Sequence, residues 1–196
     1  MRRLRESDYM KNKMFLDFDS TIVDSLKSFT DVYNLLYLNH PQFKLADPNK
    51  VCQYNLKCQC PLVDKALDIF EHKLFFENLE FINHNTYDVF ERLNEKYQLI
   101  IVTIGNYINL SRKALWLEKK LPFIKDCLLI SNDGCKMDKS IINMSGSGNI
   151  FVDDVSSNLF SSNAETKILF GKRFEWNMNW EGENCLNWSE IKYRFL

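Results

Sequence analysis

Several features that would place this chain in a familiar class are missing from it. No run approaches the ~18 apolar residues of a membrane-spanning helix. No internal repeat or low-complexity tract is visible. The N-terminal stretch MRRLRESDYMKNK is basic but lacks the apolar core of a signal peptide, so it predicts no secretion. An excess of one charge is lacking too: 25 basic residues face 26 acidic ones, for a net charge of −1. That balance argues against the extended basic surface, interleaved with aromatics, that long nucleic acids need. It leaves room for a single nucleotide in a pocket. The six cysteines (Cys52, Cys58, Cys60, Cys127, Cys135 and Cys185) lack the paired Cys-x2-4-Cys spacing of a zinc site. The 196-residue chain is also too large to need disulfide staples. These features together predict a cytoplasmic protein with free thiols and no membrane partner.

What is present is a core. Hydrophobic residues make up 45% of the chain and aromatics 14%, a globular composition for one main domain. Five short apolar runs stand out: MFLDFD (14–19), QLIIVTIG (98–105), CLLIS (127–131), NIFVDDV (149–155) and KILFG (167–171). Continuous apolar runs suit strands covered on both faces. Between them, Tyr87, Phe90, Leu93 and Tyr97 recur at helical spacing, as do Tyr107, Leu110, Ala114, Leu117 and Leu121. The alternation predicts an α/β fold with a doubly wound parallel sheet.

About eighty residues separate the first two strands, more than one crossover needs. Leu26, Phe29, Val32 and Leu36 predict one helix there, with Asp24 as its N-cap. Val63, Ala66, Leu67, Phe70 and Leu74 predict another. We therefore expect a small, mostly helical cap over 26–82, inserted into a core formed by 1–25 and 83–196. NMSGSGN (143–149) reads as a turn before the fourth strand. The last 25 residues, rich in Trp, Asn and Glu, show no clear pattern. Trp176, Trp180 and Trp188 are expected to serve packing or a lid.

The strand ends carry the chemistry, because ligands of open parallel sheets bind beyond the carboxyl ends of the strands. The first strand ends in Asp17 and Asp19, two residues apart and so on one side. Like charges placed together are costly without a cation. The second strand ends in Thr103 and the fourth in Asp153 and Asp154. Lys139 follows the third, with Lys136 as a nearby competitor. Converging carboxylates invite a hard divalent cation such as Mg²⁺. A cation and a lysine together can hold a phosphate dianion. Without them, a carboxylate repels a phosphate by about 4 kcal/mol per charge pair at 4 Å and an effective dielectric of 20. With them, one Asp can attack phosphorus while a second moves the proton. Thr103 would donate a hydrogen bond to a phosphate oxygen.

DFDST at a strand end, a strand-end Thr, a following Lys and a strand-end DD together resemble the four-motif signature of haloacid-dehalogenase-like phosphatases. The resemblance implies Asp17 as nucleophile and Asp19 as acid/base, with the Asp19 backbone carbonyl on Mg²⁺. Thr103 and Lys139 match the phosphate-holding positions. Asp153 and Asp154 match the acidic fourth motif, and which of them touches the metal stays open. LFFENLEFI (74–82), RKALWLEKKLPF (112–123) and CLNWSEI (185–191) are similar to segments of the 5'(3')-deoxyribonucleotidase family. That likeness implies a nucleoside monophosphate substrate packed on cap aromatics, with Tyr54, Phe75 and Phe76 as candidates. The family often has Thr-Ser-Pro where this chain has Thr103-Ile104-Gly105, so the backbone N–H of Ile104 is expected to contact phosphate. A homodimer is left open. The rival readings are a phosphatase of another small phosphate monoester and a non-catalytic nucleotide-binding protein on the same fold.

Overall fold

The computed structural model describes residues 11–133 and 137–196. The N-terminal arm up to Met10 and the competitor Lys136 lie outside the described residues. Among the described residues no helix is long and apolar enough to cross a membrane.

The chain opens with β1 (Lys13–Leu16), then four helices: α1 (Ser25–Tyr37), α2 (Ala66–Phe70), α3 (Lys73–Glu77) and α4 (Thr86–Lys96). It continues through β2 (Gln98–Gly105), α5 (Tyr107–Lys120), β3 (Asp126–Ser131), β4 (Ile150–Asp153) and α6 (Ser156–Ser161). It ends with β5 (Thr166–Phe170), β6 (Glu183–Cys185) and α7 (Trp188–Phe195). The six strands form one parallel sheet in the order β3-β2-β1-β4-β5-β6. The order reverses at β1, which puts a topological switch point at the carboxyl ends of β1, β2 and β4.

Alternation along the strands feeds two apolar layers. Met14, Leu16, Leu99, Ile101, Val152 and Phe170 face one side and meet Phe90, Leu93, Trp188 and Ile191. Phe15, Ile100, Val102, Phe151 and Leu169 face the other and meet Met144 and Leu159. Each fully buried Leu, Ile or Phe side chain is worth roughly 1.5–3 kcal/mol, so both layers tie the helices to the sheet. The first layer continues into the segment between β1 and β2, through Phe29, Tyr33 and Phe75.

The sequence expectations hold for the sheet and need amendment in four places. β1 ends at Leu16, short of the predicted 19, although the Asp17 N–H still donates to Val152 O at 3.0 Å. β3 is an edge strand, and Leu128 and Leu129 are exposed rather than covered on both faces. The single helix expected around 63–74 is two short ones. The chain turns extended at His72, whose Nδ1 accepts from the Leu74 N–H at 3.3 Å and starts α3. The break lets Phe70 and Phe75 pack against each other, with Phe70 also on Phe29. Finally, the C-terminal region holds β6 and α7. Asp24 does cap α1, accepting from the Lys27 N–H at 3.0 Å.

Candidate active site

The turn after β1 sets the two leading aspartates. Phe18 is fully buried against the Trp116 edge, with ring centroids 5.5 Å apart. Its carbonyl accepts from the N–H groups of Ile22 (3.0 Å) and Val23 (3.2 Å), winding a single turn. Ser20 takes up the reversal at φ 55°, a left-handed conformation costly for a non-glycine residue. Its N–H is held by Ser25 Oγ at 2.8 Å. The chain is thereby folded back while Asp17 and Asp19 remain at the switch point.

Lys139 supplies the cation that the sequence required. It begins a 3-10 turn (Lys139–Ile141) and is almost fully buried. Its ammonium ion-pairs with Asp17 Oδ1 and donates to Asp153 Oδ2 at 2.6 Å. Burial opposes its charge, but the Asp153 and Asp17 carboxylates outweigh that and raise its pKa. Asp153 is fully committed. Its Oδ1 accepts from the Val155 N–H at 2.8 Å, and Asn158 Nδ2 reaches both oxygens at 3.2 and 3.1 Å. Asp154 is less so: its Oδ2 accepts from Trp176 Nε1 at 3.3 Å, and among the described residues nothing bonds its Oδ1.

Asp17, Asp153 and Asp154 each offer one oxygen, all within 4.8 Å of one another. Three buried carboxylates stand around one ammonium, and the imbalance appears in the titration of Asp17 and Asp154. Burial, together with Asp153 and Asp19, pushes Asp17 up to about 7 against the pull of Lys139. Burial, Asp17 and Asp153 hold Asp154 well above its ordinary range. An all-oxygen cluster with surplus negative charge fits a hard divalent cation such as Mg²⁺.

A second lysine completes the centre. Lys113, in α5, is almost fully buried. It ion-pairs with Asp19 Oδ2 and donates to Thr103 Oγ1 at 2.8 Å and to Ile104 O at 3.2 Å. Its ammonium also lies 5.3 Å from the Phe18 ring centroid. Asp19 Oδ1 is buried and has no hydrogen-bond partner among the described residues. Such an orphaned oxygen costs about 1–3 kcal/mol if nothing fills it, and here it lies beside the acidic cluster.

Aromatic side chains stand beside the acids. Tyr54 meets Trp176 edge to face at 5.9 Å, and Trp176 stacks on Phe174 at 4.2 Å with an 8° tilt. Tyr54 is largely open to water on the side away from Trp176. It is 73% exposed, while crowding by neighbouring atoms and the four nearby aspartates, Asp154 foremost, push its hydroxyl up to about 12. Phe75 lies deeper, fully buried between Phe70 and Phe76.

The structure thus gathers Asp17, Asp19, Thr103, Ile104, Lys139, Asp153 and Asp154 at one end of the sheet. Tyr54 joins them, and Phe75 and Phe76 sit in the apolar layer. Sequence reasoning missed Lys113 as a site residue. It also missed Trp176, Asn158 and Asn177, whose side-chain amide donates to Asp154 O at 3.0 Å. The signal for Lys113 was a charged residue on an apolar helix face, three after Leu110 and four before Leu117.

Known structures share this fold. A haloacid dehalogenase-like hydrolase from Streptococcus pneumoniae superposes with a TM-score of 0.62 at 14% identity, covering 95% of this chain and 99% of that one. A HAD-superfamily hydrolase from Geobacter sulfurreducens gives 0.61 at 9%, covering 95% and 97%. YfnB from Bacillus subtilis, in a structure bound to magnesium, gives 0.65 at 14%, covering 94% and 98%. No curated protein is significantly similar in sequence. The sequence profile of one family, "5' nucleotidase, deoxy (Pyrimidine), cytosolic type C protein", matches residues 11–195. The match spans nearly the whole chain, on a haloacid-dehalogenase-like fold, and the chain belongs to this family of 5'-nucleotidase-type phosphoric monoester hydrolases.

Proposed function

We propose that the protein is a cytoplasmic, Mg²⁺-dependent phosphatase of nucleoside monophosphates, deoxyribonucleotides among them, working through an aspartyl-phosphate on Asp17. The observation that carries this reading is the division of labour between two aspartates. Lys139 holds Asp17 by Oδ1, and Lys113 holds Asp19 by Oδ2. Each aspartate keeps its other oxygen for chemistry.

Asp17, Asp154 and the Asp19 backbone carbonyl would hold Mg²⁺. Asp153, whose oxygens are taken by Lys139, Val155 and Asn158, would orient the lysine instead. When bound, the ion supplies positive charge that neutralises the substrate phosphate and favours ionised carboxylates. The free Asp17 oxygen then attacks phosphorus in line with the sugar oxygen, which leaves with a proton from Asp19 Oδ1. Asp19, now ionised, takes a proton from water. That water attacks the same phosphorus, releasing phosphate and restoring Asp17. Lys139 keeps Asp17 aimed throughout, and Lys113 fixes Asp19. The Thr103 hydroxyl accepts from Lys113, so its own hydrogen can go to a phosphate oxygen.

Tyr54 and Trp176 support a planar group next to the phosphate. Beside them is a cavity of about 440 Å³, lined by residues that include Gln53, Arg173 and Phe174. Its lining includes none of the four aspartates, so it is a space separate from the acidic cluster. Its volume lies within the range of small-molecule sites, roughly 300–1,000 Å³. A panel of phosphate monoesters tests the substrate. Nucleoside 5'-monophosphates should be hydrolysed with higher kcat/KM than sugar phosphates or phosphoserine. A preference for a sugar phosphate would remove the nucleotide and leave the phosphatase.

A further inference from the structure

The loop that carries Tyr54 is bracketed by two cysteines, and the mechanism uses neither. Cys52 and Cys58 are both exposed, whereas Cys60 and Cys185 are buried. Between them the chain folds back on itself. Leu56 is 4% exposed and held at φ 58°, a left-handed position that forces a reversal. The Leu56 N–H donates to Gln53 O at 3.1 Å, and Leu56 O accepts from Cys60 N–H at 2.8 Å. The reversal delivers Cys58 Sγ to 3.5 Å from the Cys52 backbone N–H, which donates to it. The Cys52 sulfur hangs only two bonds beyond the Cα next to that nitrogen. The two thiols are therefore neighbours at the base of the loop, the starting condition for a disulfide.

We propose that Cys52 and Cys58 form a dithiol that hydroperoxides oxidise to a disulfide, stapling the Tyr54 loop and changing substrate access. The two thiols differ in the sense this chemistry needs. Burial opposes ionisation of Cys58, but hydrogen bonds from the Cys52 backbone and thiol, and from the Gln53 backbone, lower its pKa overall. Cys52 is raised, chiefly by the same contact with Cys58. Cys58 is therefore the attacking sulfur. Its thiolate attacks the terminal peroxide oxygen; the S–O bond forms, the O–O bond breaks, and the departing oxygen leaves as water after taking a proton. The Cys52 thiolate then attacks the Cys58 sulfur. The S–S bond forms, the S–O bond breaks, and hydroxide leaves as a second water. Two thiols and one hydrogen peroxide become one disulfide and two waters.

The effect on access rests on the nucleotidase reading; the disulfide itself does not. Tyr54 lies inside the stapled loop, and Cys52 and Gln53 line the cavity together with Arg173 and Phe174. Fixing the loop ends limits how that wall adjusts to a base.

The test treats the full chain with hydrogen peroxide or with reductant, then maps disulfides by peptide mass spectrometry. A Cys52–Cys58 linked peptide should form on oxidation and vanish on reduction. In Cys52→Ser, a sulfenic-acid trap such as dimedone should label Cys58. Free thiols at both positions after oxidation, or a trap that labels Cys127 instead, would overturn the proposal. KM is then measured on oxidised and reduced protein with a nucleoside monophosphate and with a small aryl phosphate. Oxidation should raise the nucleotide KM by roughly threefold or more, leave the aryl phosphate KM alone, and have no effect on either in Cys58→Ser. A disulfide that forms with the nucleotide KM unchanged would overturn the link to access. A disulfide that forms in a protein hydrolysing only the aryl phosphate would sink the nucleotide reading and leave the dithiol standing.

Discussion

Lys113 donates to the Thr103 hydroxyl at 2.8 Å, tying the first half of α5 to the end of β2. The same ammonium ion-pairs with Asp19. One buried cation thus holds both the residue proposed as acid/base and the hydroxyl proposed to meet phosphate.

Lys113→Met, which keeps the length and removes the charge, should lower kcat by about 10²–10⁴-fold, the scale of a misplaced general acid. Lys113→Arg should recover little, since a planar fork does not fit a site built for a compact ammonium. Steady-state kinetics on both variants provide the check. A Lys113→Met enzyme with kcat within a few-fold of wild type would remove Lys113 from the centre.

Metal binding should appear in stability before activity is measured. A ligand present at 100 times its Kd adds about 2.7 kcal/mol to a folded state that alone binds it. Mg²⁺ should therefore raise Tm in the wild type, and EDTA should reverse the rise. Asp154→Asn should lose the Mg²⁺-dependent increment while remaining folded, because its Oδ1 holds no hydrogen bond among the described residues. An equal increment in Asp154→Asn would move the metal away from this residue.

Gly105 makes room for a contact that joins α5 to α2. A Cβ at this position would lie 2.5 Å from Asn109 Oδ1, and Asn109 Nδ2 donates to Phe70 O at 3.0 Å. Gly105→Ala should destabilise by about 1–3 kcal/mol, the usual cost of overpacking. Gly105→Ala with Asn109→Ala should cost less than the sum of the singles, because the clash and the bond share one side chain. Denaturant midpoints of the three variants decide this; strict additivity would contradict it.

How much was legible in the sequence follows from where each residue sits. Asp17, Asp19, Asp153, Asp154 and Lys139 could be found because parallel strands announce themselves as apolar runs, and chemistry collects where the runs stop. Lys113 lies inside a helix crowded with other lysines, and its place on the apolar face between Leu110 and Leu117 is a faint mark that its burial makes plain. Trp176 reaches Asp154 from a 3-10 turn (Glu175–Asn177) that has no periodicity to read. β6 has three residues, too few to show alternation. α7 was there to be read: Trp188, Ile191 and Phe195 recur at helical spacing after the capping Asn187, which accepts from the Glu190 N–H at 3.1 Å. The break at His72 goes with packing of Phe70 on Phe29, a contact distant in sequence that local spacing does not encode.

The most direct measurement of the central proposal is trapping of a phosphoenzyme. Protein mixed with Mg²⁺ and a ³²P-labelled deoxyribonucleoside 5'-monophosphate is quenched in acid within the first turnover, and the labelled acyl-phosphate is located by peptide mapping. The label should sit on Asp17 and disappear in Asp17→Asn together with turnover. Sustained phosphate release with no labelled Asp17, or from Asp17→Asn at the wild-type rate, would contradict the mechanism.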